Sequence, residues 1–387
     1  MKIMAGIDLH SNNAMCGLVD SEGKRLLHKK VPCDLRYVLA VLEPYKQRLE
    51  SVAVESTFNW YWLVDGLQEH GYKVALANPA AMQQYNGLKH TDDKSDAFFL
   101  GELQRLKILP TAHIYDRKTR PVRDLLRRRL LLVHQRTSLL LSLKSLHART
   151  TGCSLSLGLA KALLPEQAAK LFRHPADQLI AREQAQHIRQ LSQSIEAIEK
   201  MVLGEVKQLF CYRQLQTLPG VGSILALTIT LETGDITRFP SAGDYASYCR
   251  TVDSARLSNE RKKGQNNEKC GNKYLAWAYV EAANFAQRSD GPCRRFFDRK
   301  LAKTNRFVAT KALACKLSKA AWYVMSQGVD FDWARAFPGP RPEAQTQRSG
   351  KAQAGQATKQ TELKKKTDLG RASVNPSKGS GSKTLRD

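Results

Sequence analysis

Four acidic residues near the start of the chain have the types and spacing of a metal-ion site. Asp8 and Glu55 each lie at the end of a short apolar run, and Asp93 and Asp96 lie in an acidic cluster that opens a helical stretch. Carboxylates are the hard ligands that Mg²⁺ and Mn²⁺ prefer, and a metal ion held by them can act on a phosphodiester. The four acids therefore predict a divalent-metal site of the kind that a nuclease uses.

Each of these acids also has a structural explanation. Asp93 and Asp96 are three residues apart, so a helix places them on one face, and acids in a first helical turn stabilise it by capping and through the helix dipole. Acids at strand ends, such as Asp8 and Glu55, are commonly only solvated. The metal site is favoured because the strands that carry Asp8 and Glu55 are expected to be neighbours in one sheet.

The elements that must position these acids alternate between strand and helix. Three short runs separated by polar turns, 2–8, 14–19 and 25–31, predict an antiparallel meander. The elements that follow are a helix over 35–49, a strand over 52–55, a helix over 60–70, a strand over 73–77 and a helix over 97–106. The predicted fold class is therefore α/β, and the order βββαβαβα indicates an RNase H-like domain over residues 1–110.

Residues 111–210 are predicted to form a basic helical and coiled-coil segment. A long helix over 117–149 has a leucine-rich face and contains Arg127, Arg128 and Arg129. This arginine run suits a solvated helix face and a clamp on a nucleic-acid backbone about equally. A second helical stretch has apolar residues at near-heptad spacing, which predicts a coiled-coil seam. The seam residues are Ile188, Leu191, Ile195, Ile198, Val202, Val206 and Leu209. An intramolecular seam fits the pattern, but we expect a contact between protomers.

A mostly helical domain is predicted over residues 211–330, and a basic, disordered tail over 331–387. In the helical domain, the segment 218–222 (LPGVG) precedes a helix of small residues, which is the form of a helix-hairpin-helix unit. Its Gly220 and Gly222 would let backbone N–H groups approach a DNA phosphate, and a tight turn without a ligand is the alternative. The tail has almost no large apolar residues to offset the entropy of ordering, and its lysines favour non-specific binding to polyanions.

The polar stretch 258–273 is the second place where the chain could do chemistry. Ser258 lies among cations and amides, and a serine beside phosphate-binding cations can act as a nucleophile, because its attack on phosphorus builds negative charge that the cations stabilise. Ordinary loop chemistry is the commoner role of a serine, and the residues alone do not decide between the two. The candidate nucleic-acid contacts in this stretch are Arg261, Lys262, Lys263, Lys269, Asn272 and Lys273.

Composition narrows the class of protein. A chain of 387 residues with 42% hydrophobic residues can bury ample core and by its length more readily holds two or three domains than one. Its 61 Lys and Arg against 36 Asp and Glu give a net charge of +25, which predicts a partner that carries phosphates. The cysteines form no C-x-x-C pair, so neither a disulfide framework nor a zinc ribbon is indicated. We find no signal peptide and no apolar run near the roughly 18 residues of a membrane span, so we expect a cytoplasmic, nucleoid-associated protein with no membrane partner.

Five ordered motifs resemble the insertion-sequence one-ten family of transposases, whose relatives include the Piv and MooV DNA invertases. The motifs are 6–13 (GIDLHSNN), 54–62 (VESTFNWYW), 91–97 (TDDKSDA), 218–222 (LPGVG) and 271–275 (GNKYL). The resemblance extends over about residues 1–330 and leaves only the tail uncovered.

This resemblance implies a RuvC-like N-terminal domain whose D-E-D-D metal site consists of the four acids identified above. It implies a C-terminal transposase domain with a serine nucleophile at Ser258, with Ser254 as the nearby alternative. Such proteins are recombinases that use Mg²⁺ or Mn²⁺ and are guided to donor and target DNA by a non-coding bridge RNA from their own element. They are expected to form homo-oligomers, from dimers to tetramers, in which the metal site of one protomer and the serine of another make a composite centre.

Two other functions share some of these features. A metal-dependent, structure-specific endonuclease of the Holliday-junction type would use the same acids and hairpin to hydrolyse phosphodiesters, but it has no use for Ser258. A catalytically inactive nucleic-acid scaffold would bind through the basic helix and would need none of the four acids.

Overall fold

The computed structural model describes residues 1–88, 93–205, 211–252, 255–258, 261–265 and 270–338. Within these ranges the side chains of Asn86, Leu88 and residues 93–95, 255–258 and 262–265 are not described. The predictions for Ser254, Lys269, Val206, Leu209 and the tail beyond Pro338 lie outside the described residues. None of the described helices is long and apolar enough to cross a membrane.

The N-terminal sheet has five strands in the order β3-β2-β1-β4-β5. Strands β1 (Ile3–Leu9), β2 (Asn13–Asp20) and β3 (Arg25–Pro32) form an antiparallel meander. Strand β4 (Leu49–Glu55) runs parallel to β1, and β5 (Val74–Ala77) runs parallel to β4. The sheet is therefore mixed, and the predictions of a meander and of neighbouring β1 and β4 strands are confirmed.

Four helices accompany the sheet: α1 (Leu35–Leu42), α2 (Tyr61–Glu69), α3 (Pro79–Met82) and α4 (Asp93–Arg105). Short 3₁₀ turns lie at Glu43–Tyr45, at Gln83–Leu88 and, further along the chain, at Ile236–Arg238. The helix predicted over 35–49 is shorter than expected. It ends at Leu42 because Pro44 in the following 3₁₀ turn has no N–H to donate and its ring crowds the preceding turn.

The two faces of β1 contact different helices. Ile3, Ala5, Ile7 and Leu9 share one hydrophobic core with α1 and α2, whereas Met4 clusters with residues of β2 and α4. Because successive side chains of a strand point to opposite faces, the even-numbered residues of β1, including Asp8, face α4.

Helix α4 lies directly on the backbone of β1 and β2 because glycines face it. A Cβ at Gly6 would collide with the carbonyl of Ala97, and a Cβ at Gly17 would lie 3.0 Å from the backbone nitrogen of Phe98. Side chains at these positions would force the helix away from the sheet. Two glycines in neighbouring strands thus allow α4 to pack directly against the backbone of the sheet.

The direction of α4 follows from the same contacts. Gly101 lies beside Met4, and Ala97, one turn earlier in the helix, lies beside Gly6. The helix therefore runs antiparallel to β1, and its first turn, which contains Asp96, lies toward the end of the strand that carries Asp8.

A helical hairpin follows the sheet. Helix α5 (Arg120–Thr151) and helix α8 (Pro175–Glu205) pack along each other, and α6 (Leu157–Ala162) and α7 (Pro165–Ala169) connect them. Leu140, Leu143 and Leu146 of α5 share a core with Ile188 of α8.

The expectation that the near-heptad seam lies between protomers is wrong. Ile188, Ile195 and Val202 are buried within this single chain. The connection through α6 and α7 folds α8 back along α5. The apolar seam of α8 therefore packs against the leucine-rich face of α5 in the same chain. A heptad pattern does not distinguish a helix of the same chain from one of a partner.

The remaining part of the chain is mostly helical. Its helices are α9 (Tyr212–Leu215), α10 (Ser223–Thr233), α11 (Ala242–Tyr248), α12 (Lys273–Ala286), α13 (Pro292–Leu301), α14 (Arg306–Gln327) and α15 (Trp333–Ala336). A two-stranded antiparallel hairpin of β6 (Ala255–Ser258) and β7 (Arg261–Gln265) separates α11 from α12. The core of this part contains Tyr245 and Tyr279, which are fully buried and whose hydroxyl groups are 2.8 Å apart.

Candidate active site

The two strand-end acids lie side by side on one face of the sheet. Ile7 of β1 pairs in parallel with Val54 of β4, so Asp8 and Glu55 occupy the next position of neighbouring strands, which are about 4.8 Å apart in a sheet. Ala53 clusters with Leu100 of α4, so Glu55, two residues further on, faces α4 as Asp8 does. Asp8 is 4% exposed, and Glu55 is half-buried.

The loops that follow these strands are joined to each other. His10 Nε2 lies 3.2 Å from Asp8 Oδ2. Asn59 Nδ2 donates a 2.9 Å hydrogen bond to the carbonyl of His10, and Thr57 Oγ1 donates to Asn59 Oδ1 at 3.0 Å. Sequence reasoning assigned no role to His10 or Asn59, although both lie within motifs quoted above. Their positions two residues after Asp8 and four residues after Glu55 were the available signal.

The acids of the third cluster lie at the start of α4. Asp93 is the first residue of the helix, and Asp96 is half-buried one turn later. The side chain of Asp93 is not among those described. Asp96 thus lies on the helix that covers Asp8 and Glu55, in the turn nearest to them.

The chemistry of this donor set fits a hard divalent cation, since it consists of carboxylates at two adjoining strand ends and on the helix that covers them. The described side chains do not by themselves complete a metal-binding site. Among the side chains that the structure describes, no three His, Cys, Asp or Glu residues are close enough together to hold a metal ion. The described part of the site therefore provides two adjoining strand-end carboxylates and the helix turn that carries Asp96.

The predicted serine lies in the β6–β7 hairpin. Ser258 is the last residue of β6 and pairs with Arg261, the first residue of β7. The side chains of Ser258, Lys262 and Lys263 lie outside those described, whereas the side chain of Arg261 is exposed.

The residues that lead into α12 are joined to the end of α11 and the residues just after it. Arg250 Nε donates a 2.8 Å hydrogen bond to the carbonyl of Cys270, and the backbone N–H of Asn272 donates to the carbonyl of Tyr248 at 2.7 Å. Asn272 also caps α12, since its Oδ1 accepts from the backbone N–H groups of Tyr274 and Leu275. Asn272 thus joins the end of α11 to the start of α12.

The arginine run of α5 divides between two environments. Arg127 donates to Glu232 from Nε and Nη2 at 2.5 and 2.8 Å, and Arg129 donates to Glu199 from Nε and Nη2 at 2.8 and 2.5 Å. Arg128 is exposed. The structure therefore gives Arg127 and Arg129 partners within the chain and directs only Arg128 toward solvent.

Glu232 of α10 is the centre of a buried polar network. Its side chain is 2% exposed and accepts from Arg123 Nε at 3.2 Å and from Asn272 Nδ2 at 2.8 Å, in addition to Arg127. Tyr115 donates its hydroxyl to the Glu232 carbonyl at 2.8 Å. Helices α5, α10 and α12 therefore meet at one carboxylate. Sequence reasoning missed it, although a single acid in the apolar helix Ser223–Thr233 was a visible signal.

This network keeps Glu232 charged. Burial by itself would raise the pKa of the carboxyl group, but the hydrogen bond from Arg127 and the charges of Arg123 and Arg127 outweigh burial and lower the pKa below its ordinary value. A buried carboxylate that receives this many donors is stable as an ion, so the network attaches the three helices firmly to one another.

Helix α5 is also attached to the sheet region. The buried guanidinium of Arg120 donates to both oxygens of Asp65 in α2, at 2.8 and 3.0 Å, and stacks on the rings of Trp60 and Tyr61. The Tyr61 hydroxyl donates to Asp124 at 2.9 Å. The first two turns of α5 thus connect the segment that follows Glu55 with the helix that carries Glu232.

The two glycines of the LPGVG segment do different things. Gly220 has a φ of 75°, and a Cβ there would collide with the carbonyl of Ala282 in α12, so close packing explains the need for glycine. Gly222 is the N-cap of α10, has no side-chain cap, and has open space where a Cβ would lie. Gly222 has open space beside it, and the start of α10 has no side-chain cap. A phosphate can therefore approach the backbone N–H groups more readily at Gly222 than at Gly220.

Comparison with known proteins gives matches to transposases in both parts of the chain. A transposase family model of the DEDD type from IS110 elements matches residues 5–149, and the model for the transposase IS116/IS110/IS902 family matches residues 212–298. The transposase for insertion sequence element IS1328 of Yersinia enterocolitica is 24% identical over 339 residues, which cover 85% of this chain and 98% of that protein. An uncharacterized 43.6 kDa protein of insertion element IS110 from Streptomyces coelicolor is 30% identical over 89 residues, 23% of this chain and 22% of that protein.

Proposed function

The chain belongs to the IS110 family of transposases, enzymes that cut and rejoin DNA, and on this premise we propose that it moves its insertion element by serine recombination assisted by a divalent metal. The observation that carries the proposal is the placement of Asp8 and Glu55 at adjoining ends of parallel strands, facing the helix turn of Asp96. The DEDD type of the matching N-terminal model supports a divalent-metal requirement.

In this proposal the four acids Asp8, Glu55, Asp93 and Asp96 hold Mg²⁺ or Mn²⁺. The bound ion would polarise the scissile phosphate and offset its charge. His10 contacts the Asp8 carboxylate and therefore holds its orientation, and Asn59 keeps the His10 loop in register with the Glu55 loop. Metal-binding carboxylates are commonly oriented by hydrogen bonds of this kind from neighbouring residues.

The chemical step assigns the nucleophile to Ser258. Its hydroxyl oxygen attacks the phosphorus, a phosphoserine bond to DNA forms, and the bond from phosphorus to the departing deoxyribose oxygen breaks. The serine loses its proton, and the departing oxygen gains one. Rejoining reverses these exchanges with a different DNA end, so no external energy source is required. Arg261, opposite Ser258 in the hairpin, is a cation suited to the charge that builds on the phosphate.

The strand order 3-2-1-4-5, with an antiparallel meander and two parallel strands, supports our assignment of residues 1–110 to an RNase H-like, RuvC-like domain. We assign 111–210 to the helical hairpin and 211–330 to the transposase domain. The core of that domain also buries Phe331, and α15 follows, so the basic tail predicted over 331–387 begins only after α15. The turn between α9 and α10 supports a helix-hairpin-helix role for Gly222 in binding the DNA backbone.

Guidance by a bridge RNA and assembly into dimers or tetramers with a composite centre belong to the same proposal. The net charge of +25 supports binding to more than one nucleic acid. A test for guidance is the effect of adding the non-coding RNA from the flanks of the element to a junction-DNA cleavage reaction.

The test of the mechanism is a trap for a covalent protein–DNA adduct on element-junction DNA, with flanking RNA and Mg²⁺ present. Wild type is compared with Ser258→Ala and Glu55→Gln. We expect an adduct that survives denaturation in the wild type and is absent from both variants. Cleavage without an adduct, unchanged in Ser258→Ala and lost in Glu55→Gln, would identify a hydrolytic endonuclease instead.

A further inference from the structure

A groove between α5, α12 and the LPGVG turn that leads into α10 has the composition of a nucleotide-binding site. Two adjoining cavities of about 890 and 450 Å³ share His134 and Trp277 in their walls. We call them together the Trp277 groove. Each of the two cavities by itself is in the range of volume that small ligands occupy.

The aromatic wall of the Trp277 groove comes from one face of α12. Tyr274, Trp277, Glu281 and Phe285 are three or four residues apart, line the groove, and follow the periodicity of one helix face. Trp277 is half-buried against the C-terminal core, which fixes the position of its ring, and Phe285 is 47% exposed. A fixed, partly open aromatic ring is the surface on which an unpaired base stacks.

The charged residues of the groove favour an anion. Arg127, Arg128, Arg129 and Lys273 line it, against the carboxylates of Asp124 and Glu281. Glu232 and Glu199 neutralise Arg127 and Arg129. In the part of the chain that the structure describes, Arg128 and Lys273 form no ion pair, and both are exposed. Two cations therefore stand beside the aromatic wall with their charges available to phosphates.

We propose that the Trp277 groove binds an unpaired nucleotide of a DNA strand, whose base stacks on Trp277 while Arg128 and Lys273 contact the flanking phosphates. The inference rests on the proposed DNA-recombining function and adds a site that the cleavage chemistry does not use. A base in a duplex is covered on both faces by its neighbours, so a concave aromatic wall selects a strand that is locally unpaired. Strand exchange between two DNA molecules creates such unpaired nucleotides beside each cut.

The test uses the full-length protein and two fluorescein-labelled probes, a 20-nucleotide oligo(dT) and a 20-base-pair duplex, with affinity measured by fluorescence anisotropy at fixed salt. Trp277→Ala is expected to weaken oligo(dT) binding by about tenfold, because stacking on one aromatic ring contributes roughly that much, and to leave duplex binding unchanged. Trp277→Phe keeps a ring and should recover most of the affinity. Trp333→Ala, which removes a 46% exposed tryptophan outside the groove, is the matched control and should change neither affinity.

The phosphate contacts have a separate readout. The double variant Arg128→Ala with Lys273→Ala should reduce the salt dependence of oligo(dT) binding by about one to two phosphate contacts. The basic tail is present in every variant and so cancels in the comparison.

Equal oligo(dT) affinity in wild type and Trp277→Ala would overturn the proposal, as would an equal loss for the duplex. Trp277-dependent binding of oligo(U) but not of oligo(dT) would assign the groove to RNA and refute the DNA assignment. If Trp277→Ala lowers the melting temperature, its loss of affinity does not test the groove, and the test is made with Trp277→Phe. If a base stacks on Trp277, oligo(dT) must quench the tryptophan fluorescence of wild type more than that of Trp277→Phe. The adduct trap with Ser258→Ala is independent of these measurements, so a failure of serine chemistry is distinguishable from a failure of the groove.

Discussion

Asp8 and Glu232 are two carboxylates with nearly the same burial and different described neighbours. Glu232 is 2% exposed and faces Arg123, Arg127 and the Asn272 amide, whereas Asp8 is 4% exposed and has His10 on one oxygen and a second acid, Glu55, at the end of the next strand. Burying a carboxylate is costly unless opposite charge accompanies it. At Glu232 the chain supplies that charge itself. At Asp8 the chain places a second acid at the end of the neighbouring strand, which is the arrangement expected of the divalent-metal site proposed above.

The largest expected effect comes from breaking the Glu232 network. Glu232→Gln leaves Arg123 and Arg127 buried without their carboxylate, and loss of one partner of a buried ion pair costs about 3–5 kcal/mol. The free energy of unfolding, measured by urea denaturation, should fall by that amount. Glu196→Gln, an exposed acid on α8, is the control and should have almost no effect. Similar stability of the two variants would mean that Glu232 does not hold the helices together.

The same chemical change at Asp8 should have the opposite pattern. Asp8→Asn removes one of the proposed metal ligands, so DNA strand cleavage should fall by roughly 10²–10³-fold, the usual cost of losing one electrostatic group of an active site. The melting temperature should stay the same or rise, because the variant removes repulsion between Asp8 and Glu55. Glu22→Gln changes charge equally at the other end of the sheet and should retain full cleavage. An Asp8→Asn protein that unfolds early and cleaves normally would contradict the comparison.

A smaller effect concerns the helix that covers the acids. Gly6→Ala places a Cβ against the carbonyl of Ala97, so α4 must shift away from β1. Overpacking of this kind costs about 1–3 kcal/mol, and the shift should also reduce cleavage because α4 carries Asp96. Thermal unfolding and cleavage rate are the measurements. Gly158→Ala, at a helical glycine with open space around it, should instead leave stability unchanged or slightly higher.

The smallest effect is the pH dependence of the Glu232 network. The pKa of Glu232 in the folded chain is below the ordinary value of 4.5, so its contribution to stability is complete above that pH and is lost as pH falls toward the folded-state pKa. The difference in unfolding free energy between wild type and Glu232→Gln should therefore be constant from pH 7 to pH 5 and shrink below pH 4.5. A difference that stays constant down to pH 3 would show that the carboxylate charge is not what stabilises the junction.

The sheet and its acids could be predicted because their signals are local. Alternating apolar runs and polar turns define the strands, and Asp8 and Glu55 stand at the strand ends in the sequence itself. Contacts between residues far apart in the sequence could not be predicted. Arg127 and Glu232 are 105 residues apart, and no local pattern pairs them. The partner of the α8 seam was misjudged for the same reason, because a heptad repeat specifies an apolar stripe and leaves its partner open.

The boundary of α1 shows a different limit. Apolar spacing alone extended that helix to residue 49, whereas Pro44 ends it, so the missed signal was in the sequence and was outweighed by periodicity. In the candidate site, the acids were predicted from their chemistry, whereas the contacts of His10 and Asn59 exist only in the folded loops.

Helix α5 is attached to the sheet and to Glu232 near its start, and this affects how its far end could move. Its anchors to the sheet and to Glu232 all lie between Arg120 and Arg127, whereas the turns beyond Leu139 pack in a core with α6, α7 and α8. From Arg127 to Thr151 the helix extends about 36 Å, so a rotation of about 10° at the anchors would displace the far end by roughly 6 Å. The base of the hairpin is held by these ion pairs and by the contacts of Leu126 and Val202 with α10, so a small reorientation at the base would be magnified at the tip.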